Sequence, residues 1–462
     1  MDQLARLIQG ILDLGAPIVL PIIMMLVGLL FKTGFKTALS SGLLIGVGFT
    51  AMNVILDFLF TSIGAASTAF VDNTGLNLTT LDVGWAPVAA ISWAWPYAFL
   101  MFPLQILLNI LMLTLNLTAT LNVDLWNVWN KVLTGLLIAS ISGSIPLAFL
   151  FAAIEIILEL KQADWSANLV EECTGIPGVA ITHPLLLEWV LFLPLNKLLD
   201  RIPYIANNAF DPEALREKIG IFAENHVAGF FIGALLAVFA GYNLGGILAL
   251  GVQAGTALAL FPLAAKFFIS ALMPIADSAR DILESRFPGR TFHIGLNWSY
   301  AAGLASLWVA AILNIPVLIF WSIVLPGNSV LPFGGILALT SSIPAAIVTR
   351  NDVLRTTLLT WISQPLWIFA GNLFSAPITD MARAVNVIEI PADVSSITWI
   401  TMEAPSMRIS FTAVSNLVAN GHISPSLAIA ALTVVLFFVS SRMLREEDRK
   451  SARTLAQLAS RE

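Results

Sequence analysis

The chain has 462 residues, of which 58% are hydrophobic and only 11% are charged, and its formal net charge is −6 at pH 7. An ordinary soluble domain carries about 25% charged residues, so this composition excludes a soluble globular protein. The negative net charge argues against a nucleic-acid partner, and the single cysteine, Cys173, excludes an intrachain disulfide.

The first residues do not have the pattern of a cleavable signal peptide. Asp2, Arg6 and Asp13 interrupt what would be a positive leader, and no small-residue cleavage site follows the first apolar run. We therefore predict a short amphipathic helix over 2–14 that leads into the first membrane span.

The apolar runs that follow predict an all-α polytopic membrane protein. A spanning helix needs about 20 apolar residues, and on this basis we expect about 11 transmembrane helices. Residues 1–440 should form one integral membrane transport domain, and residues 441–462 a solvated helical tail. The clearest runs are 16–31, 42–60, 100–113, 134–158, 227–240, 304–325, 358–370 and 427–439.

The distribution of lysine and arginine predicts the orientation of the chain in the membrane. Residues 61–84 contain neither type and should lie outside, whereas Lys32 and Lys36 place the first loop in the cytoplasm. The N-terminus is then outside, the C-terminus is cytoplasmic and the number of spans is odd. The basic residues that follow the last run are Arg442, Arg445, Arg449, Lys450 and Arg453.

Glycine and proline interrupt the apolar pattern in both halves of the chain. The segments GIPGVAITHP (175–184) and LPGNSVLPFGG (325–335) are each predicted to form the tip of a re-entrant hairpin. Two such interruptions in opposite halves indicate an inverted repeat with a central site, as in many transporters.

Isolated polar residues inside the apolar segments are the candidate site, because a polar group in hydrocarbon is costly unless it is paired. Thr182 and His183 lie between Pro177 and Pro184, with Glu188 shortly after. An imidazole can accept or donate a proton near neutral pH. A histidine that only satisfies a helix end is an equally good interpretation.

A second group of polar residues follows in the segment NVDLWNVWNKVLTG (122–135). Residues 127, 130 and 134 fall on one helical face, and Trp126 and Trp129 flank them. Amides, a carboxylate and aromatic rings together suit a sugar or polyol, although an interfacial aromatic belt would have the same pattern. The candidates in this segment are Asp124, Asn127, Asn130 and Thr134.

Three further segments contribute weaker candidates. Asp82 and Trp85 could line an outward-facing mouth, although tryptophan also collects at membrane interfaces. Glu224 stands at the start of an apolar run, where it could bind a hydroxyl or only cap a helix. Asn328 lies in the second interrupted segment. Nucleotide- and metal-binding signatures are missing from the sequence, so we expect no cofactor and no metal.

At these segments the sequence resembles a known family of bacterial sugar permeases. It is similar to the galactitol-type enzyme IIC of the phosphoenolpyruvate-dependent phosphotransferase system, in the ascorbate–galactitol superfamily. The matching segments are ILDLGAPIVLPI, LDVGW, NVDLWNVWN, GVAITH, DPEALREKIGIFAENHVAGFFIG, AGYNLGG, MPIADSARD, FHIGLN and LPGNSVLPFGG, in this order over nearly the whole chain.

The resemblance implies a permease in the inner membrane that binds a carbohydrate outside and releases its phosphate inside. The phosphoryl group would come from a phosphocysteine on a separate IIB protein, supplied by IIA, so the chain itself would not carry it. The resemblance also implies a homodimer with interleaved core and dimerisation subdomains. His183 would orient or deprotonate the accepting hydroxyl, and the other hydroxyls would be held by Glu224, Asn130, Thr134 and Asn328.

The chain departs from the family pattern at four positions, which leaves open whether the substrate is galactitol, another polyol, a pentitol or a modified sugar. These positions are Thr182, Asn130, Asn297 and Gly335. The alternative function is an ion-coupled secondary transporter of a polar solute, which needs only a titrating carboxylate or histidine and no phosphoryl donor.

Overall fold

The computed structural model describes residues 16–74, 78–124, 127–208, 225–286, 289–332, 339–385, 390 and 395–460. The helix predicted over 2–14 lies outside this part of the chain, as do Trp126, Glu224 and Gly335.

The described residues are mainly helical, as the apolar runs predict. The helices of the first half are α1 (Ala16–Leu30), α2 (Phe35–Thr74), α3 (Trp85–Trp93), α4 (Met101–Thr114), α5 (Val128–Ser142), α6 (Ile145–Thr174), α7 (Trp189–Leu199) and α8 (Pro203–Asn207). Those of the second half are α9 (Asn225–Phe239), α10 (Leu244–Arg286), α11 (Ala305–Val324), α12 (Leu339–Val348), α13 (Val353–Val385), α14 (Pro405–Asn420) and α15 (Ser426–Ala459).

The expectation of an all-α chain is incomplete, because the loops between helices contain short β-strands. These are β1 (Thr80–Asp82), β2 (Thr120–Asn122), β3 (Val179–Ile181), β4 (His293–Leu296), β5 (Val330–Leu331) and β6 (Ser396–Thr398). With two to four residues each, the strands are too short to show the period-2 alternation by which a strand is recognised in a sequence.

The strands form two parallel three-stranded sheets. In the first sheet the order is β5-β1-β6, with Thr80 paired to Val330 on one side and to Ser396 on the other. In the second sheet the order is β2-β4-β3, with Ile294 between Leu121 and Val179. Both interrupted segments therefore contribute a strand, 175–184 to the second sheet and 325–335 to the first.

Helix ends next to the sheets are set by local sequence. Gly143 and Gly175 end α5 and α6 with a φ of 70°, a left-handed conformation that glycine adopts without steric cost. Ser144 then caps α6 by accepting a hydrogen bond from the backbone N–H of Leu147. These stops place the residues after α6 in the turn that enters β3.

The helices pack in two groups. The long-helix group consists of α1, α2, α9 and α10, in which α2 packs on α1 and α10, and α10 packs on α9. The strand-bearing group contains the remaining helices and the sheets, and pairs α5 with α6, α6 with α15 and α11 with α13. In its core Phe192 and Trp367 are nearly parallel, with ring centroids 6.1 Å apart.

Charged residues are buried within the largely apolar interior, and large apolar residues are exposed on the surface. Lys131 and Glu159 are fully buried, whereas Leu107, Phe231 and Val252 are each more than half exposed. Judged by length and mean hydropathy, α15 is the one helix among the described residues that is long and apolar enough to cross a membrane. Shorter apolar helices accompany it. The number of spans remains a prediction.

The tail is the end of α15, which continues without a break from the last apolar run to Ala459. It is not simply solvated, because several of its side chains contact the rest of the protein. Asp448 accepts hydrogen bonds from the backbone N–H of Leu169 and from Nδ2 of Asn168, at 3.0 and 2.8 Å. Arg350 joins the tail to α6 by ion pairs with Glu447 and Glu172. One face of residues 441–459 is therefore docked against the strand-bearing group.

Candidate functional site

The candidate site lies at the carboxyl ends of the strands, where several loops turn back into helices. Asp124 follows β2, Thr182 and His183 follow β3, and Glu403 follows β6. Side chains that follow parallel strands meet at one edge of the sheet, which is a common position for ligand sites in parallel sheets.

A chain of side-chain amides links two of these loops at the start of α5. Oγ1 of Thr182 donates to Oδ1 of Asn122 at 3.0 Å, and Nδ2 of Asn127 donates to the carbonyl of Thr182 at 3.3 Å. Nδ2 of Asn130 then donates to Oδ1 of Asn127 at 2.6 Å. Asn127, Asn130 and Thr182 are fully buried, so these polar groups are matched to one another rather than to solvent.

Arg408, on α14, fixes the far side of this network. Its Nη2 donates to Oδ1 of Asn130 and its Nη1 donates to Oγ1 of Thr134, both at 2.7 Å. Its Nε donates to the backbone carbonyl of Glu403, also at 2.7 Å. The planar guanidinium thus holds α5 and the loop after β6 in a fixed relation.

His183 faces a carboxylate that comes from the other sheet. Nε2 of His183 lies 3.8 Å from Oε1 of Glu403, and both residues are at most 5% exposed. Nδ1 of His183 accepts a hydrogen bond from the backbone N–H of Leu185 at 3.3 Å. In the neutral ring the proton therefore sits on Nε2, and the imidazole can donate toward Glu403 or toward a hydroxyl beside it.

A buried ion pair extends the polar cluster toward α6. Nζ of Lys131 lies 2.5 Å from Oε2 of Glu159 and 3.5 Å from the backbone carbonyl of Asn127. Glu155 lies one helical turn before Glu159 on the same helix and is 3% exposed. A lysine and two glutamates thus stand directly behind the asparagines.

Glu188 ties the turn after His183 to the start of α14. Its Oε1 accepts hydrogen bonds from the backbone N–H and the hydroxyl of Ser406, both at 2.8 Å. Because Ser406 follows Glu403 closely and precedes Arg408, this contact fixes the loop that carries both charged side chains.

Three tryptophans lie beside the polar cluster. The ring centroids of Trp129 and Trp399 are 5.5 Å apart, and those of Trp85 and Trp129 are 6.4 Å apart. Trp129 and Trp399 are almost completely buried. Trp129 precedes Asn130 on α5, so indole rings and amide groups occur together in this part of the chain, a combination that suits a molecule with both C–H and O–H groups.

The structure brings together five of the predicted residues. Asn127, Asn130, Thr134, Thr182 and His183 form one connected cluster. Asp124 adjoins it, since its Oδ1 accepts a hydrogen bond from the backbone N–H of Asn127 at 3.2 Å.

Asp82 and Asn328 form hydrogen bonds within the protein, mainly to backbone groups. Oδ1 of Asp82 accepts hydrogen bonds from the backbone N–H groups of Gly84 and Ile400. Asn328 precedes β5 and bonds to Ser322, Val330 and Asn372, at the opposite end of the first sheet from Glu403. Trp85 reaches the cluster only through Trp129, and Glu224 lies outside the described residues.

The sequence analysis did not single out five charged residues of the cluster. Each is an ionisable group inside an apolar stretch, which is by itself a signal of function in a membrane protein. The motif IEIILELK and the segment ITMEAPSMRIS show that signal plainly. The residues are Lys131, Glu155, Glu159, Glu403 and Arg408.

Comparison with known proteins identifies a family of permeases that the chain matches. The sequence model of the family described as "PTS system sugar-specific permease component" (EIIC-GAT) matches residues 10–393. This range contains both sheets except β6, and it ends before Glu403 and Arg408.

Curated relatives are similar over most of the chain. It is 30% identical over 368 residues to the "PTS system galactitol-specific EIIC component" of Escherichia coli strain K12, covering 79% of this chain and 82% of the relative. The protein of the same name from strain O157:H7 matches equally. A second K12 protein, named only as a permease IIC component, is 28% identical over 440 residues, covering 94% of this chain and 99% of the relative.

These matches confirm the resemblance found in the sequence motifs and favour the phosphotransferase permease over an ion-coupled carrier. The family implies a polytopic protein of the inner membrane, a sugar-type substrate and the partner proteins IIA and IIB. The chain thus belongs to the EIIC-GAT family, the sugar-specific permease components of the phosphotransferase system.

Proposed function

We propose that this permease subunit binds galactitol or a closely related polyol in the polar cluster between the carboxyl ends of the two sheets. The observation that carries the proposal is the convergence of amide, hydroxyl, imidazole, guanidinium and carboxylate groups, from distant parts of the chain, in a buried position. The names of the curated relatives support galactitol among the possible polyols.

The donor and acceptor groups of the cluster match those of a polyol. Each hydroxyl of a polyol both donates and accepts a hydrogen bond, and so do the amides of Asn127 and Asn130. Arg408 supplies only donors, and Glu403 supplies acceptors. Trp129 and Trp399 provide faces for the C–H groups of the carbon chain.

His183 and Glu403 are the groups we assign to the accepting hydroxyl. A hydroxyl oxygen can lie about 3 Å from both Nε2 of His183 and Oε1 of Glu403. His183 then donates to that oxygen and positions it, while Glu403 accepts its proton. The oxygen attacks phosphorus as the phosphorus–sulfur bond of the phosphocysteine breaks, and the thiolate of IIB leaves.

Transport requires that the cluster open. Its side chains are at most 5% exposed and bond to each other, so a substrate reaches them only after elements separate. We assign this motion to a displacement of the strand-bearing group relative to the long-helix group, which correspond to the core and dimerisation subdomains. The exposed apolar residues of α2 and α10, such as Val54 and Val252, suit lipid or a second copy in a homodimer.

The basic tail supports the orientation predicted from the sequence. Arg442, Arg449 and Lys450 are exposed on α15 just past its apolar part, and on the positive-inside rule we propose that this end lies in the cytoplasm. The N-terminus is then outside, and IIB approaches from the side of the tail.

The experiment is uptake of labelled polyols by membrane vesicles loaded with phosphorylated IIB. We expect galactitol to accumulate as its phosphate. Accumulation of unmodified solute driven by a pH or sodium gradient, or no uptake of any polyol, would contradict the proposal. His183→Ala should abolish the phosphorylation, whereas the exposed His422→Ala serves as the matched control and should leave it unchanged.

A further inference from the structure

Asn314 is a buried amide without a hydrogen-bonding partner among the described residues. It lies near the middle of the apolar helix α11 and is fully buried. Neither its Oδ1 nor its Nδ2 is within hydrogen-bonding distance of a described polar group. Because such an amide has lost its hydration without replacement, it destabilises the folded state unless another molecule bonds to it.

A second buried amide, Gln364 on α13, has an oxygen in the same condition. Its Nε2 donates to the hydroxyl of Ser341 on α12 and to the backbone carbonyl of Thr360, at 3.1 and 2.8 Å. Its Oε1 is buried and accepts no hydrogen bond from the described residues. Gln364 therefore offers an acceptor, whereas Asn314 offers both an acceptor and donors.

The two helices that carry these amides lie side by side and run in the same direction. Near their starts, the backbone N–H of Ser306 donates to Oδ1 of Asn351. Farther along, Nδ2 of Asn372 on α13 donates to Oδ1 of Asn328, which follows the end of α11. Since α11 and α13 pack on each other between these points, residues at similar heights on the two helices come together.

Two apolar residues set the height at which the amides lie. Leu318 on α11 and Ile368 on α13 belong to one buried cluster. Asn314 and Gln364 each stand four residues before one of them, which is about one turn earlier on the same face of the helix. The two amides therefore lie at one height of the α11–α13 interface.

Proline interrupts both helices beside the amides. Pro316 and Pro365 lack the backbone N–H that bonds to the carbonyl four residues earlier. Pro365 thus deprives the carbonyl of Trp361 of its helical donor, and Nε1 of Trp321 on α11 donates to that carbonyl at 3.2 Å. Nε1 of Trp361 donates in turn to the carbonyl of Leu313, at 3.1 Å. Polar backbone thus faces the interface at this height, and transporters hold substrate where membrane helices are interrupted.

We propose that Asn314 and Gln364 form a second binding station for the polyol, separate from the polar cluster and used while the substrate moves through the permease. The inference rests on the proposed function. A hydroxyl that donates to Oε1 of Gln364 and accepts from Nδ2 of Asn314 bridges the two amides. The apolar cluster one turn away also includes Ile400, three residues before Glu403, so the station is near the loop that carries Glu403. Like the polar cluster it is buried, and the substrate reaches it during the same opening.

Uptake of labelled galactitol by vesicles loaded with phosphorylated IIB, at a concentration below saturation, tests the station. We expect Asn314→Ala to lower the initial rate about 3- to 10-fold, because hydrogen bonds to the moving substrate are lost. Calorimetric titration of the purified variant should give the wild-type affinity for galactitol, since the polar cluster is intact. Asn207→Ala, at an exposed position, is the control and should leave both values unchanged.

Uptake by Asn314→Ala at the wild-type rate would overturn the station and would indicate that the amides hold only water. A lowered affinity in the calorimetric titration would overturn its separation from the polar cluster. Absence of polyol uptake by the wild type would instead contradict the proposed function, and the station with it.

Thermal unfolding separates a binding role of Asn314 from a structural one. Because its amide has no partner among the described residues, Asn314→Ala should keep the midpoint of unfolding near that of the wild type or above it. Asn372→Ala is the matched control, since this amide bonds to Asn328, Ser329 and the carbonyl of Ile368 and its loss should lower the midpoint clearly. An equal fall in Asn314→Ala, or its failure to fold, would show that the amide serves the fold and would overturn the inference.

Discussion

Nε2 of His183 lies 3.8 Å from Oε1 of Glu403, although the two residues follow strands of different sheets and come from opposite halves of the chain. Because Nδ1 of His183 already accepts the backbone N–H of Leu185, the neutral imidazole is a donor at this contact. The sequence left open whether His183 is a base or a hydrogen-bonding partner. The geometry favours the second role and makes Glu403 the better candidate for the base.

Replacing Glu403 by glutamine should separate binding from chemistry. Glu403→Gln keeps the size of the side chain but cannot accept a proton, so we expect phosphorylation of the polyol to fall at least about 100-fold, with its dissociation constant changed much less. Both are measured with labelled galactitol and phosphorylated IIB. Glu446→Gln is the control, and phosphorylation by Glu403→Gln at the wild-type rate would remove this residue from the reaction.

Asn130→Ala should weaken binding of the polyol. The variant removes an amide that bonds to both Asn127 and Arg408, and leaves the buried guanidinium without one acceptor. A loss of about 1–3 kcal/mol is expected, which corresponds to an increase of roughly 5- to 150-fold in the dissociation constant. Asn207→Ala, at an exposed position, is the control, and an unchanged affinity of Asn130→Ala would exclude this residue from the site.

Lys131→Met should destabilise the protein by leaving Glu159 as an uncompensated buried charge. We expect the free energy of unfolding to fall by about 3–5 kcal/mol, measured by unfolding in mixed detergent micelles. The double variant Lys131→Met with Glu159→Gln should recover part of that loss. Lys197→Met, in which the replaced lysine side chain is 54% exposed, should have little effect, and a double variant whose loss equals the sum of both single losses would contradict the pairing.

Gly295→Ala should disturb the site through the centre of the second sheet. A Cβ atom at Gly295 would lie 2.5 Å from Cγ2 and 2.9 Å from Oγ1 of Thr182, so that side chain must turn away and lose its hydrogen bond to Asn122. We expect weaker polyol binding together with lower thermal stability. Gly303→Ala, where a Cβ meets no other atom within 4 Å, is the control, and normal binding by Gly295→Ala would show that Thr182 does not hold the substrate.

The sequence was sufficient for the membrane class, the family and part of the cluster. Asn127, Asn130 and Thr134 follow helical spacing, and Thr182 and His183 stand out between prolines, so local pattern identified them. Asn328 and Asp82 have the same local appearance but bond to the protein's own backbone. A single sequence does not distinguish a side chain that serves a turn from one that faces a ligand.

The remaining part of the site depends on pairing between distant segments. Nothing near His183 in the sequence indicates that its neighbour is Glu403. The contact forms only because the loop after β3 and the loop after β6 come together in the folded protein. The strands were not predicted from the sequence because each is only two to four residues long. The sequence could therefore predict that Asn130 and Thr134 share one helical face, but it could not predict that both bond to Arg408.

The order of the strands along the chain also sets the order in which the protein can be assembled during synthesis. β1, the middle strand of the first sheet, is synthesised before both of the strands that pair with it. β4, the middle strand of the second sheet, is synthesised after both of its neighbours. Lys131, Glu155 and Glu159 consequently enter the bilayer long before Arg408 leaves the ribosome. The newly made permease thus passes through a stage in which these buried charges lack the guanidinium group of Arg408, which completes their final surroundings.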